Sequence, residues 1–141
     1  MKYHFSEPTE EDYQAFVKKI LFIDGILQKY YNYNLDQSFT DLIYIQKILD
    51  DNLFSKKDKW ELQALGFVFG RVIVTNNQNF DWWIINDDYG RDPIIRFSNS
   101  TLRLNVLTMI SKRIENNEKV NVHELYNESI KFIEETKNKC D

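Results

Sequence analysis

The sequence predicts an α+β domain, with four or five helices packed around a small antiparallel sheet of two or three strands. Three observations carry this. Successive stretches repeat apolar residues at helical spacing. One stretch, Phe80 to Phe97, alternates instead, and is broken by a loop rich in Asp with one Gly. Only four glycines and two prolines interrupt 141 residues, which favours helices over many short strands. With 43% apolar and 15% aromatic residues, one buried core and a single domain over residues 1–141 are expected.

The first helix is expected over 9–31. Thr9 with Asp12 three positions on forms a capping-box variant, and Glu10 and Glu11 suit the positive end of the helix dipole. Tyr13, Phe16, Val17, Ile20, Ile23, Leu27 and Tyr30 recur at helical spacing. Gly25 weakens the pattern locally. A polar-aromatic linker, Tyr30-Tyr-Asn-Tyr-Asn-Leu35, follows. Ser38 and Asp41 then give a second cap for a helix over 39–52, whose acidic end, Asp50-Asp51, opposes the dipole and is expected to fray.

The stretch from Ser55 to Phe97 organises the chain. Ser55 with Asp58 caps a third helix, apolar on nearly every side from Trp60 to Val74 and therefore expected at the centre. Gly66 and Gly70 share one face of it. Each costs about 1 kcal/mol relative to Ala in a helix, so another backbone is expected to pack closely there. Phe80–Ile85 forms a strand with Trp82 and Trp83 on opposite faces. Asp87-Asp-Tyr-Gly90 is the turn, and Ile94–Phe97 the return strand. Thr101–Leu104 offers a third strand. Asn105 opens a fourth helix that ends at Asn116-Asn117. Asn121 with Glu124 caps the last helix, Val120 and Leu125 forming a hydrophobic staple. The tail over 136–141 is expected to be loose.

Function classes narrow by exclusion. A net charge of -4 argues against a nucleic-acid surface and leaves room for a basic protein partner. No apolar run is long enough for a membrane span, and the N-terminus lacks the apolar segment of a secretion signal. Cys140 is the lone cysteine, so no internal disulfide forms, and a cytoplasmic protein is expected. His4, His123 and Cys140 do not make a metal or nucleophile constellation, and the sequence carries no phosphate-binding Gly-rich loop. No cofactor is expected.

Two groups remain as contact candidates: Asp87, Asp88, Tyr89, Arg91 and Asp92 at the turn, and Tyr30, Tyr31 and Tyr33 after the first helix. Carboxylates, a tyrosine and an arginine on a rigid hairpin suit recognition. The same carboxylates suit a divalent ion or acid–base chemistry, a rival reading, although their spacing is not that of an EF-hand loop. A third reading is an oligomeric structural subunit joined through the Gly66/Gly70 face.

The set Leu65-Gly-Phe-Val-Phe-Gly70, Trp82-Trp83, Asp88-Tyr-Gly-Arg-Asp-Pro93, Met109-Ile-Ser-Lys-Arg-Ile114 and Val120-Asn-Val122 resembles an uncharacterised bacterial domain family over about 36–135. The resemblance implies no activity. In type the chain is similar to small bacterial immunity proteins, which bind and neutralise one toxin without a cofactor. That likeness implies a non-enzymatic binding protein with a cognate toxin as partner, itself a monomer or weak dimer.

Overall fold

A computed structural model of the protein describes residues 2–138. Its elements, in order, are β1 (His4–Ser6), α1 (Glu10–Tyr31), α2 (Thr40–Asp50), α3 (Lys59–Asn76), β2 (Phe80–Asp87), β3 (Gly90–Phe97), β4 (Arg103–Leu104), α4 (Val106–Glu115) and α5 (Val122–Thr136). The architecture is α+β in one domain, as the sequence predicts. The sheet is larger than expected: four antiparallel strands in the order β1-β2-β3-β4. Cys140 and the last residues of the expected loose tail lie outside the described residues.

α3 is the hub. Leu62, Leu65, Phe69, Val72 and Ile73 are fully buried, and α1, α2, α4 and β2 all pack on it. The apolar circumference explains this, because no face of the helix loses by being covered. Trp60 departs from expectation. It sits at the helix start, 37% exposed, edge-on to Phe22 at 5.2 Å. α3 also begins later than expected. Ser55 and Asp58 bond within a tight turn ahead of it, the Ser55 N–H donating to Asp58 Oδ2 at 2.8 Å.

The glycine pair does what its spacing implies, inside the domain. A Cβ on Gly66 would lie 2.5 Å from the Val106 carbonyl oxygen, and one on Gly70 would lie 2.8 Å from both the Trp82 ring and a Val106 methyl. The first turn of α4 therefore rests directly on the α3 backbone. That fills the Gly66/Gly70 face, so the expectation of an oligomer contact there is corrected: the space is taken by α4 and β2.

β2 splits its tryptophans as expected. Trp82 faces inward and stacks on Phe67, centroids 4.4 Å apart and planes 18° apart, with Phe16 of α1 alongside at 5.7 Å. Trp83 lies on the other face, covered by an arginine and not by a helix. The Arg96 guanidinium sits 4.7 Å from Trp83 and 4.5 Å from Phe5 of β1. Guanidinium over aromatic faces is favourable and hides part of each ring from water. Pro93 stands opposite Ile84, on the part of β3 that β4 does not reach, since β4 pairs only with Ile95 and Arg96. A residue without an N–H fits there at no cost to the ladder.

The linker and α2 also differ in detail. Ser38 does not cap α2, which opens at Phe39 without a side-chain cap. Asp41 is instead buried at 1% exposure, where it accepts from the Tyr33 hydroxyl at 2.6 Å, the Gln37 N–H at 2.9 Å and the Asp36 N–H at 3.1 Å. The acidic end of α2, expected to fray, is tied down: the Tyr31 hydroxyl donates to Asp51 at 2.6 Å. Gln46 clamps the entry of α5, donating to the Val120 carbonyl at 3.0 Å and accepting from the Val122 N–H at 2.7 Å.

Candidate functional site

The hairpin tip is built from local rules. Asp87 pairs with Gly90, leaving Asp88 and Tyr89 as a two-residue loop. Gly90 has φ 124°, a value open to glycine and strained for other residues. The Asp87 carboxylate accepts from the Tyr89 N–H at 2.8 Å, an Asx turn that fixes the loop. Tyr89 is thereby pushed outward and is 83% exposed, while Asp88 and Asp92 are also exposed.

Two braces hold the tip. Arg91 Nη1 and Nη2 donate to Asp12 Oδ1 and Oδ2, each at 3.0 Å. Such a two-pronged pair fixes direction as well as distance. Asp12 also accepts from the Thr9 N–H at 2.8 Å, and its own N–H donates to Thr9 Oγ1 at 3.2 Å, completing the capping box. The Arg91 bond, opposed in part by burial and helped by Thr9, lowers the Asp12 pKa to about 2. On the other side Asn86 donates to Ser6 Oγ of β1 at 2.9 Å. Arg91, a predicted contact residue, thus serves first to anchor the tip to α1.

A hollow of about 230 Å³ opens on the flank of the hairpin. Asp87, Asp92, Arg103 and Lys112 all line it, and Ile85, Ile94 and Leu107 supply apolar surface. A second hollow of about 390 Å³ shares Arg103 and Lys112 and runs on between α4 and α5 past Met109, Arg113 and Phe132, the last 49% exposed. Arg103 stands between the two. Its Nη1 donates to the Thr101 carbonyl at 3.1 Å, while its Nε is buried without a partner. Gly66 lets the first turn of α4, which carries Leu107 into the hollow, rest against the α3 backbone. Opposed charges over an apolar floor suit recognition of a polypeptide with both kinds of group.

Sequence reading singled out Asp87 and Asp92 but missed Arg103, Lys112 and Arg113. The Lys112-Arg113 pair was visible as part of a motif. Its meeting with the turn was not, because it depends on packing between distant segments. A larger depression, about 1100 Å³ between α2 and the α4–α5 connection, holds none of the turn residues. Among the described residues, no three His, Cys, Asp or Glu side chains come together closely enough to hold a metal ion, and no helix is long and apolar enough to cross a membrane.

The three tyrosines lie elsewhere. Tyr31 is bonded to Asp51, and Tyr33 is bonded to Asp41 and stacked on Tyr44 at 3.9 Å. Burial first, and these hydrogen bonds second, raise both phenol pKa values. Only Tyr30, 51% exposed beside Lys29, is presented to solvent. By helical rise, Tyr30 is about 27 Å along α1 from Asp12, so the tyrosines and the hairpin tip do not form one surface.

Comparison with known proteins bears on fold and family. A search of curated proteins finds no match. A crystal structure from Bacteroides thetaiotaomicron VPI-5482 is similar in fold, with a TM-score of 0.85 at 14% identity over 92% of this chain and 48% of that one. The chain thus spans about half the length of that protein, and the likeness concerns the fold alone. The family model described as "Domain of unknown function (DUF3806)" matches residues 41–126. The matched region holds the glycine-bearing helix, the tryptophan strand, the Asp-Tyr-Gly turn and the Lys112-Arg113 helix, and leaves out α1. Because the match covers more than half of the sequence, the chain belongs to that family of domains of unknown function.

Proposed function

We propose that the chain is a non-enzymatic protein-binding module that presents its hairpin tip and the adjoining channel to a partner protein. The observation that carries this reading is Tyr89, an aromatic left 83% exposed on a tip braced to α1 by Arg91 and Asp12. A tyrosine offers large contact area with few torsions to freeze, and a braced loop loses little freedom on binding. Asp87, Asp88 and Asp92 around it favour a partner that is basic where it touches the tip.

In its most concrete form the module is a bacterial immunity protein, acting in the cytoplasm by covering a cognate toxin. The likeness in type to such proteins supports naming a toxin as partner, and the net charge of -4 agrees with it. Titration with a basic candidate toxin tests this. Wild type is expected to bind and to block the toxin's activity, and Tyr89→Ala to lose at least tenfold in affinity. The rival reading, a divalent-ion site or an enzyme at the turn, rests on Asp87 and Asp92 lining the same hollow. Calorimetric Mg²⁺ or Ca²⁺ binding that disappears in Asp92→Asn would favour the rival.

A further inference from the structure

We propose that the edge of β2 over Phe80–Trp83 takes an extended, basic segment of a partner protein as an added strand. β2 runs Phe80–Asp87, but β1 pairs only with Ile84, Ile85 and Asn86. β1 ends at Ser6, and Pro8, which cannot donate to a ladder, leads the chain off toward α1. Among the described residues, no strand lies beside Phe80–Trp83 on that side.

The direction of the main chain there follows from the hairpin. In an antiparallel ladder, successive residues turn their N–H and C=O groups to opposite sides. Asp87 pairs with Gly90 across a two-residue loop, and the Asn79 carbonyl accepts from the Ser98 N–H at 2.7 Å. Asp81, Trp83, Ile85 and Asp87 therefore bond toward β3. Ile84 and Asn86 turn the other way, toward Ser6 and His4. Phe80 and Trp82 turn that way too and meet no strand. An unpaired edge is a template for a further strand, and extended peptides bind sheets in this manner.

The side chains around the edge select what that strand carries. A hollow of about 480 Å³ lies along it, with Glu7, Tyr13, Asp81, Trp82 and Trp83 in its lining. Tyr13, Glu7 and Asp81 are exposed. No ion pair among the described residues engages either carboxylate. Arg96 stands opposite Asp81, but its Nε and Nη2 donate to the Ser100 and Asn99 carbonyls at 2.7 and 2.8 Å. Aromatic rings beside two free carboxylates suit a lysine or arginine side chain, through cation–π contact and charge. A second copy of this chain would bring a like acidic edge, so charge favours a different, basic chain. By strand rise Trp82 is about 23 Å from Tyr89, so this surface goes beyond the tip and channel.

Titration of the full chain with a short end-blocked peptide alternating lysine with valine tests the proposal. The peptide is expected to bind with a Kd below about 1 mM and to move the amide resonances of Phe80–Trp83 while leaving those of Asp88–Asp92 in place. A peptide with glutamate for lysine, and a fully N-methylated lysine peptide that keeps the charge but offers no N–H, are each expected to bind at least tenfold more weakly. Glu7→Lys and Asp81→Lys, both at exposed positions, are expected to lose at least tenfold in affinity for the lysine peptide at unchanged Tm. The proposal is overturned by no saturable binding below about 1 mM, by equal binding of the N-methylated peptide, or by shifts centred on Asp88–Asp92. Unchanged affinity in Asp81→Lys overturns it as well. So does the same set of shifts on concentrating the protein alone, which would give the edge to a second copy.

Discussion

Arg91 and Asp12 are 79 positions apart and close a two-pronged ion pair, 3.0 Å on each prong. One end is the third residue of α1, the other the second residue of β3. The pair turns a hairpin loop into a fixed projection, and the binding reading depends on that.

Replacing Arg91 by Met is expected to lower stability only slightly near neutral pH, because the guanidinium lies at the rim of the fold and solvent screens the pair. The pH dependence has a definite sign. Asp12 has a folded pKa of about 2, below its ordinary value of 3.8. A depressed carboxylate contributes stability above its unfolded pKa and loses it as pH falls through the folded one. The wild type and Arg91→Met should therefore differ above pH 3.8 and converge toward pH 2. Urea unfolding at both ends of that window reads this directly.

Gly66→Ala is expected to destabilise by about 3 kcal/mol, as overpacking does where backbone blocks the new methyl. The obstacle is the Val106 carbonyl at 2.5 Å, part of the first turn of α4. Gly70→Ala should cost less, because its nearest neighbours, Trp82 and Val106, are side chains. Thermal unfolding of the two variants ranks them. Equal costs would contradict the packing described.

Tyr33→Phe removes one of three donors from a buried carboxylate. The loss is expected to be about 2 kcal/mol, since an unsatisfied buried acceptor costs more than an average hydrogen bond contributes. Asp41 is also the reverse of Asp12 in its titration. Burial raises its pKa, so its ionisation lowers stability as pH rises from the ordinary carboxylate value through the folded one. The variant should raise that pKa further, visible in the carboxyl carbon shift of Asp41 by NMR.

Gln46→Leu should cost about 2 kcal/mol by leaving the Val120 carbonyl and the Val122 N–H without their partner. Hydrogen exchange at Val122 is expected to quicken well before that of α3 amides. Unchanged protection there would count against the clamp.

Local chemistry was readable where it sufficed. The Thr9–Asp12 box, the Gly90 turn and the Asn121 cap each act within four residues and occur as predicted. The Gly66/Gly70 pair announced a close approach, though its spacing alone does not name α4 as the element that comes near. Other features needed the whole fold. Tyr13 and Val17 share the helical repeat with Phe16 and Ile23, yet both are half exposed, because apolar residues occupy most of the α1 circumference and tertiary contact decides which are covered. β1 is three residues long, too short for an alternation, and exists because the edge of β2 is free to pair. The channel beside the turn joins residues from both ends of the Asp87–Lys112 interval through packing that no short window of sequence contains.

The central claim, that the braced tip is a protein-binding surface, is tested most directly by affinity purification of the tagged chain from its host cells. Wild type is compared with Tyr89→Ala and Asp88→Lys, variants whose exposure should keep stability within about 0.5 kcal/mol of wild type. One protein is expected to be retained by wild type in near-stoichiometric amount, and to be lost at least tenfold in both variants at unchanged Tm. Equal retention of that protein by all three chains would contradict the account.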